Sequence, residues 1–516
     1  MDGEYRRLSP TDWPERTRLP GWVRLAVPVL IGCFATKLAT KISDLELKFS
    51  ATETVGLIGG LIWLSLSLRA KMLTAIFVFI FGISLKVSKT FFLYDIAVGH
   101  FTPWVGGAAG VVISVHFLAA LVIIGIAMYR RRGTARSGLR LEPILISGPL
   151  LFMAAGVFSL LNAPDATLVW FELIHQAMLL VTIVAVLNLE LDELRIALRL
   201  LAISVILQGV LAVLQMTVGS DLGLAFFGEP QLVKEQIDFS EQNRAVGTIG
   251  HPNVLSYMFE ITGPLMLALV TTSKKGTDRL IYLAAFAAVL VGSFLTLSRA
   301  AWIAELVTLP MVAFILYGSK LWRPPAVYVI TAGVAAGIAI SPALPMIARR
   351  LFADDAGSAS HRWPLVRAAF SVVKQFPVFG VGLNNLGNAF PRYDTTHYSR
   401  VFGPVNHVVH NLYMLVWAEV GTVGLLAFLW SFIGPFWIAL RAYRSADPFI
   451  KGIAVGGSAG LVAHLIHGLF DPGFKLSLPI SSLIACQIGM IGAAYLMTKP
   501  AFTKSGMRPA EQNQLT

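Results

Sequence analysis

The sequence has 516 residues, of which 56% are hydrophobic and 14% are charged. Soluble domains carry about a quarter charged residues, so this composition excludes an ordinary soluble enzyme and indicates a polytopic membrane protein. The net charge of +12 does not indicate nucleic-acid binding, because many basic residues lie in short connections between apolar segments. The two cysteines, Cys33 and Cys486, lie far apart in apolar segments and predict neither a disulfide framework nor a metal site.

The chain contains many apolar segments that approach the length needed to cross a membrane, which is about 20 mostly apolar residues. We therefore predict an all-α polytopic membrane protein with roughly 14 transmembrane helices (12–14), in which the first four are the least regular. The predicted segments are residues 22–40, 52–68, 72–86, 104–128, 143–161, 167–187, 196–217, 254–272, 281–297, 300–317, 326–341, 411–440, 452–470 and 476–496.

Basic residues orient these segments, because loops rich in Lys and Arg stay in the cytoplasm. Basic residues precede the first segment and follow segments of even number: Arg6, Arg7, Arg16, Arg18, Arg69, Lys71, Arg130, Arg131, Arg132, Lys274, Lys275, Lys320, Arg323, Arg441, Arg444, Lys499 and Lys504. This pattern predicts both termini in the cytoplasm and two long loops, about 219–253 and 342–410, on the opposite side. The exceptions are an acidic connection near 188–195 and four lysines left outside: Lys41, Lys48, Lys86 and Lys89.

We predict three regions along the chain. Residues 1–140 form an N-terminal transmembrane extension of about four helices, residues 141–498 form the main transmembrane domain, and residues 499–516 form a cytoplasmic tail. A loop as long as 342–410 usually has structure and function of its own. We expect short amphipathic helices in it at the membrane surface, and residues 361–376 have apolar positions at helical spacing.

Two arginines on the predicted outer side have both a functional and a structural interpretation. Arg244 lies in Gln242–Asn253, where glycines allow close backbone approach and the guanidinium can bind phosphate through two parallel hydrogen bonds. The alternative is a loop that caps a helix through Asn253 while Arg244 extends to lipid headgroups. Arg299 either binds substrate or pairs with Glu305, because an ionisable residue inside a membrane segment is costly unless it is paired or faces a cavity.

The second outer loop carries two more arginines, Arg362 and Arg367. They are five residues apart, so on a helix they diverge by about 140°. Both can therefore bind one phosphate only if the loop folds around it. Pro377, Gly380 and Gly382 indicate a fixed turn farther along, and we interpret them as a rigid connector.

Two histidines end the second outer loop, just before an apolar segment. His407 and His410 are three residues apart and would share a helix face. A zinc site is disfavoured because a third ligand is hard to find nearby. Histidine titrates near working pH, so His410 is suited to accept a proton, and Asn411 and Glu419 could orient it. The structural alternative is a histidine that caps a membrane helix.

Motifs of nucleotide-dependent and hydrolytic enzymes are missing. The sequence contains no Walker loop, no G-x-S-x-G, no H-E-x-x-H and no dinucleotide fingerprint. The energy for any synthesis must then come from an activated donor that is already in the membrane.

Taken in order, the outer segments resemble the O-antigen ligase and O-antigen polymerase superfamily of polytopic glycosyltransferases, which use lipid-diphosphate-linked sugars. The resemblance covers roughly residues 140–495, so residues 141–498 correspond to its catalytic domain. It is carried by Arg244–Asn253, Ser298–Trp302, Arg362-Trp363 with Phe376–Gly382, and His410-Asn411 with Glu419 and Gly421.

The resemblance implies transfer of a glycan from an undecaprenyl-diphosphate carrier at the periplasmic face of the bacterial inner membrane, without metal, nucleotide sugar or other cofactor. Direct displacement by an acceptor hydroxyl inverts the anomeric carbon. We assign His410 as the base or acceptor-orienting group and Arg244, Arg299 and Arg362 as diphosphate ligands. Supporting roles are predicted for Arg367, His407, Asn411, Glu419 and Asn253.

The residues and the resemblance are compatible with three functions. The N-terminal spans and the long chain favour a polymerase that joins surface-polysaccharide repeat units. The alternative is a ligase that transfers polymer to lipid A-core, and the alternative of another class is a flippase for lipid-linked oligosaccharides. The expected partners are the donor, a glycan or lipid A-core acceptor, membrane lipids, a flippase and a chain-length regulator, but no nucleic acid.

Overall fold

The computed structural model describes residues 66–85, 87–91, 110–132, 138–224, 227, 229, 244–318, 362–397 and 409–499. Most of these residues are helical, and two short strands among them form one antiparallel hairpin. The elements are α1 (Leu68–Ser84), β1 (Ser88–Phe91), β2 (Val111–Ser114), α2 (Val115–Arg131), α3 (Pro143–Phe158), α4 (Ala166–Leu187), α5 (Leu191–Val218), α6 (Pro252–Thr272), α7 (Gly276–Leu295), α8 (Arg299–Tyr317), α9 (Arg362–Gln375), α10 (Leu386–Tyr393), α11 (Leu412–Ala442), α12 (Pro448–His467), α13 (Gly473–Leu476) and α14 (Leu478–Leu496).

Nine helices of the described ranges are long and apolar enough to cross a membrane: α3 with the 3₁₀ turn that follows it, α4 to α8, α11, α12 and α14. The prediction of an all-α polytopic membrane protein is therefore confirmed. Each of the nine corresponds to a predicted segment. The predicted segments 22–40 and 326–341 lie outside the described residues, as does nearly all of 52–68.

The prediction of one continuous helix over residues 104–128 is wrong, because part of this segment forms a strand. Val111–Ser114 pair antiparallel with Ser88–Phe91 instead of joining the helix. Consecutive β-branched residues favour an extended backbone. The helix α2 begins only at Val115, where the Ser114 hydroxyl caps it by accepting from the Phe117 amide at 3.4 Å.

One end of the bundle, which we call the basic end, carries the positive residues of the short connections. There Arg130 pairs with Glu193 at 2.5 Å, and Lys499 pairs with Glu142 at 2.9 Å. Arg131 also donates a hydrogen bond to Asn188. The carboxyl ends of α2, α4 and α14 and the amino ends of α3 and α5 meet at this end.

The helix α11 is broken at Gly421, whose φ of 67° and ψ of −171° are not helical. The turn after α9 fills the break: the amides of Val381 and Gly382 donate to the carbonyls of Ala418 and Glu419, both at 2.9 Å. A Cβ on Gly421 would lie 2.2 Å from the Val378 carbonyl oxygen, so only glycine fits there. Gly380 and Gly382 also have positive φ, as a rigid connector requires.

The amphipathic helix predicted at 361–376 is present as α9. It buries Leu365, Ala368 and Val372, while Trp363 is 61% exposed. The helix packs against the first half of α11 and therefore lies beside the segment that begins near His410.

Candidate functional site

A cavity of about 690 Å³ lies at the end of the bundle opposite the basic end. Its walls come from the hairpin, α4, the residues before α6, the first residues of α8, α9 and α11, and the segment 470–481. It brings together residues that are far apart in sequence and that were predicted to act together: Arg244, Asn253, Arg299, Arg362 and His410. We call Arg244, Arg299 and Arg362 the arginine group.

Arg244 is fixed between two helix ends. Its Nε donates to the Thr296 carbonyl at 2.7 Å, just after α7, and its Nη2 donates to Asn253 Oδ1 at 2.7 Å, in the first turn of α6. Both acceptors are neutral oxygens. These two contacts position the guanidinium at the cavity wall.

The alternative interpretation, in which Asn253 caps α6, is wrong. The N-cap is His251, whose ring Nδ1 accepts from the Asn253 amide at 3.2 Å. Pro252 occupies the first helical position, where its missing amide hydrogen costs nothing, so the residue before it is the cap. The Asn253 side chain consequently turns toward Arg244 and Asp471.

Arg299 reaches the cavity through a tight turn between α7 and α8. Leu297 has a φ of 51°, a left-handed conformation that L residues rarely adopt, and α8 begins two residues later. Glu305, the predicted partner of Arg299, accepts a hydrogen bond from the Ser293 hydroxyl at 3.0 Å, and Arg299 itself lines the cavity.

The side chains of the two arginines of α9 lie on different faces of the helix, as their five-residue spacing predicts. Arg362 lines the cavity, whereas the Arg367 guanidinium lies 5.5 Å from the centre of the Trp363 ring. Arg367 is therefore on the face of α9 that carries the exposed tryptophan and not in the cavity wall. His407 lies outside the described residues.

His410 faces a carboxylate that sequence reasoning missed. Its Nδ1 lies 3.6 Å from Asp471 Oδ2, and Asn253 Nδ2 donates to the same oxygen at 3.2 Å. The Tyr257 hydroxyl donates to the Asp471 carbonyl at 2.5 Å and so fixes the backbone of this residue. A continuous chain of contacts thus runs from Arg244 through Asn253 and Asp471 to His410.

The environment favours the charged form of Asp471. Burial by itself raises the pKa of this carboxyl, but contacts with His410, His467 and Asn253 lower it by more, so the pKa lies below its ordinary value. The carboxylate is therefore ionised at working pH and can hold the imidazole of His410 in one orientation.

Two residues expected to orient His410 are used elsewhere. Asn411 caps α11, accepting from the Met414 amide at 2.9 Å and donating to the Leu469 carbonyl at 3.0 Å. Glu419 is buried and pairs with Lys475 at 3.1 Å. Glu419 lies more than two turns along α11 from His410, which explains why Asp471 takes this place instead.

A buried ion triad adjoins the cavity. Lys475 Nζ lies 3.2 Å from Glu172 and 3.1 Å from Glu419, which joins α13 to α4 and α11. Burial lowers the pKa of Lys475, but the two carboxylates raise it by more, so its pKa lies above its ordinary value. The sequence contains one indication of this triad: Glu172 lies inside an apolar segment, where an acidic residue needs a partner.

Within the described ranges, no group of three or more His, Cys, Asp and Glu side chains is placed to hold a metal ion. His467, which lines the cavity near Asp471, contacts Glu260 at 2.6 Å through Nδ1.

The helices define a multi-pass membrane protein with a polar cavity at one end of the bundle. Residues 284–429 match the family model described as O-antigen ligase (Wzy_C), and this match supports the similarity of the chain to the O-antigen ligase/polymerase superfamily. No curated protein matches the sequence. The matched residues include Arg299, Arg362 and His410, whereas Arg244 and Asp471 lie on either side of them.

Proposed function

We propose that this protein is an inverting glycosyltransferase that moves a glycan from an undecaprenyl-diphosphate carrier to an acceptor sugar hydroxyl, and that it polymerises surface-polysaccharide repeat units. The observation that carries the proposal is the meeting of three arginines and His410, from four separate segments, in one cavity. A diphosphate leaving group needs cations and an attacking hydroxyl needs a base, and this cavity has both.

The arginine group binds the diphosphate. Guanidinium groups match phosphate oxygens through parallel hydrogen bonds, and charge develops on the diphosphate as its bond to the sugar breaks. Hydrogen bonds to the Thr296 carbonyl and to Asn253 hold the Arg244 guanidinium in place, so little reorganisation is needed when the anion arrives.

His410 accepts the proton of the acceptor hydroxyl. His410 Nδ1 faces Asp471 at 3.6 Å, so we assign the ring proton to that nitrogen, which leaves Nε2 with a lone pair. The acceptor oxygen forms a bond to the anomeric carbon, the bond from that carbon to the diphosphate oxygen breaks, and the hydroxyl proton moves to Nε2. The carrier diphosphate leaves, and the configuration at the anomeric carbon is inverted.

The cavity faces the periplasm in this proposal. It lies opposite the basic end, and the positive-inside rule assigns basic connections to the cytoplasm. A lipid-linked donor then reaches the site from the outer leaflet of the inner membrane.

A single reconstitution separates the three candidate functions. The purified protein is placed in liposomes with the lipid-linked repeat unit, without ATP, and products are resolved by size. Longer lipid-linked chains indicate a polymerase, and glycan that appears on added lipid A-core indicates a ligase. Repeat units that change leaflet without any new glycosidic bond would contradict the proposal and favour a flippase.

The arginine proposal is tested in the same liposomes. Arg244→Lys, Arg299→Lys and Arg362→Lys keep the charge but lose the planar pair of donors, so each should slow transfer at limiting donor. Arg441→Lys at the basic end is the matched control. Full transfer by all three variants at limiting donor would mean that the arginines act only through packing or general charge.

A further inference from the structure

We infer that the wall of the cavity formed by the hairpin and α4 is the binding site of the acceptor glycan, and that it takes an uncharged sugar. The wall presents Ser88, Thr90, His175 and Gln176, which we call the hairpin group. The inference rests on the proposed glycosyl transfer and adds the chemical class of the second substrate.

The arginine group and the surroundings of the hairpin group differ in charge. The arginine group supplies three guanidiniums, as a diphosphate requires. The acidic side chain of Glu172, beside the hairpin group, is paired with Lys475, and Lys475 is shared with Glu419. Two carboxylates and one ammonium leave this wall without surplus positive charge, so it disfavours an acidic sugar and suits one that offers only hydroxyl groups.

His175 anchors the wall and has a fixed protonation state. Its Nε2 accepts a hydrogen bond from the Val112 amide at 2.9 Å, so that nitrogen carries no proton and the neutral ring bears its proton on Nδ1. This Nδ1 is 4.0 Å from Glu172 Oε2, beyond hydrogen-bond distance. The donor on His175 and the acceptor on Glu172 both line the cavity with a gap between them, where a sugar hydroxyl can bridge them.

The hairpin supplies two hydroxyl groups beside His175. Val112 is the strand partner of Thr90, so the bond from Val112 to His175 holds Thr90 against α4. Ser88 and Thr90 lie on one face of β1 because side chains alternate along a strand, and both are exposed. A row of exposed hydroxyls next to an imidazole and an amide is a hydrogen-bonding surface for a polyol.

The floor of the cavity connects this wall to the proposed base. The segment 470–481 lines the cavity along its length and carries Asp471, which faces His410, and Lys475, which pairs with Glu172. A sugar on the hairpin group therefore shares one cavity with the imidazole that would take its proton. Tyr257 stabilises the floor through Asp471 and Gly473, and a Cβ on Gly473 would lie 2.2 Å from the Tyr257 ring.

The hairpin group lies outside residues 284–429, whereas Arg299, Arg362 and His410 lie inside them. The part of the site assigned to chemistry thus falls largely within the family match, and the part assigned to the acceptor falls in the preceding sequence. This division is expected if the reaction is shared by the family and the choice of acceptor belongs to the individual chain.

Binding of separate probes tests the inference on the full chain. The purified protein is placed in lipid nanodiscs, because maltoside detergents carry a sugar that would compete. Saturation-transfer NMR follows methyl β-glucoside as the neutral probe and glucuronate as the acidic probe, and isothermal titration follows pyrophosphate. Ser88→Ala and Thr90→Val remove one exposed hydroxyl each, and Lys89→Gln on the opposite face of the same strand is the matched control.

Each hydroxyl variant should weaken binding of the glucoside by roughly three- to tenfold, the value of one neutral hydrogen bond, and leave pyrophosphate binding unchanged. Lys89→Gln should bind both probes as the wild type does. Unchanged glucoside binding in Ser88→Ala and Thr90→Val, or stronger binding of glucuronate than of the glucoside, would overturn the inference. Failure of pyrophosphate to bind, with the glucoside effects intact, would instead overturn the diphosphate role of the arginines and support the sugar site.

Discussion

The two ends of the helical bundle use charged residues in opposite ways. At the basic end, Arg130 and Lys499 each contact a carboxylate on a neighbouring helix. At the cavity end, Arg244 is held by a backbone carbonyl and an amide oxygen, and the carboxylate of Asp471 faces His410. The ion pairs at the basic end join neighbouring helices, whereas the contacts of Arg244 and Asp471 position side chains around a cavity.

The largest effect is expected at His410. His410→Ala should lower glycan transfer by roughly 10²–10⁴-fold, the usual contribution of a general base, with normal protein level in the membrane and normal donor binding. The measurement is glycan length in a strain that lacks the native copy, beside an immunoblot. His407→Ala is the matched variant and should reduce transfer less. An abundant His410→Ala protein that transfers glycan at a near-normal rate would contradict the mechanism.

The second-largest effect on activity is expected from substitution of Asp471. Asp471→Asn keeps the shape but removes the charge that faces His410 across 3.6 Å, so kcat should fall roughly 10–100-fold, the size of one interaction with a charged group. Activity should fall while pyrophosphate affinity changes little. A loss of pyrophosphate affinity as large as the loss of kcat would mean that Asp471 acts through Asn253 and Arg244 instead.

Asp471 also gives the fold a pH dependence with a definite sign. Its pKa in the folded protein lies below the ordinary value of 3.8, so the charged carboxylate stabilises the fold above that pH. This contribution is lost as the pH falls through the folded pKa. Thermal unfolding from pH 6 down to about pH 3 should therefore show a steeper loss of stability for the wild type than for Asp471→Asn. Parallel curves for the two proteins would exclude this coupling.

The arginine group should show an intermediate effect that the basic end does not share. Each Arg→Lys variant in the cavity should slow transfer about tenfold at limiting donor, because one of two parallel hydrogen bonds is lost. The difference should vanish at saturating donor if binding alone is affected. Arg441→Lys should behave as the wild type throughout, and an equal loss there would remove the distinction between the two ends.

The smallest effect is expected at the basic end itself. Lys499→Met breaks the pair with Glu142, and because Lys499 is 39% exposed the free energy of unfolding should change by less than about 1 kcal/mol. Glycan transfer should not change. A large loss of activity in this variant would show that the basic end takes part in function.

The sequence predicted the helices well because apolar length alone marks a membrane span. It also predicted the arginine group and His410, because polar residues are rare in this chain and those in outer loops could be found by their type. Asp471 was missed because it is a single acidic residue in a short connection, and only the folded bundle brings it to His410. The hairpin was missed because Val111–Ser114 are as apolar as the helix they precede.

The break at Gly421 has a consequence for motion. The amides of Thr422 and Val423 donate to the carbonyls of Pro377 and Val378 instead of continuing the helix. These two hydrogen bonds, together with those of Val381 and Gly382, attach the first half of α11 to the turn that follows α9. The segment that starts beside His410 and the helix that starts at Arg362 therefore move as one rigid unit, and hydrogen exchange at these four amides reports a single opening event.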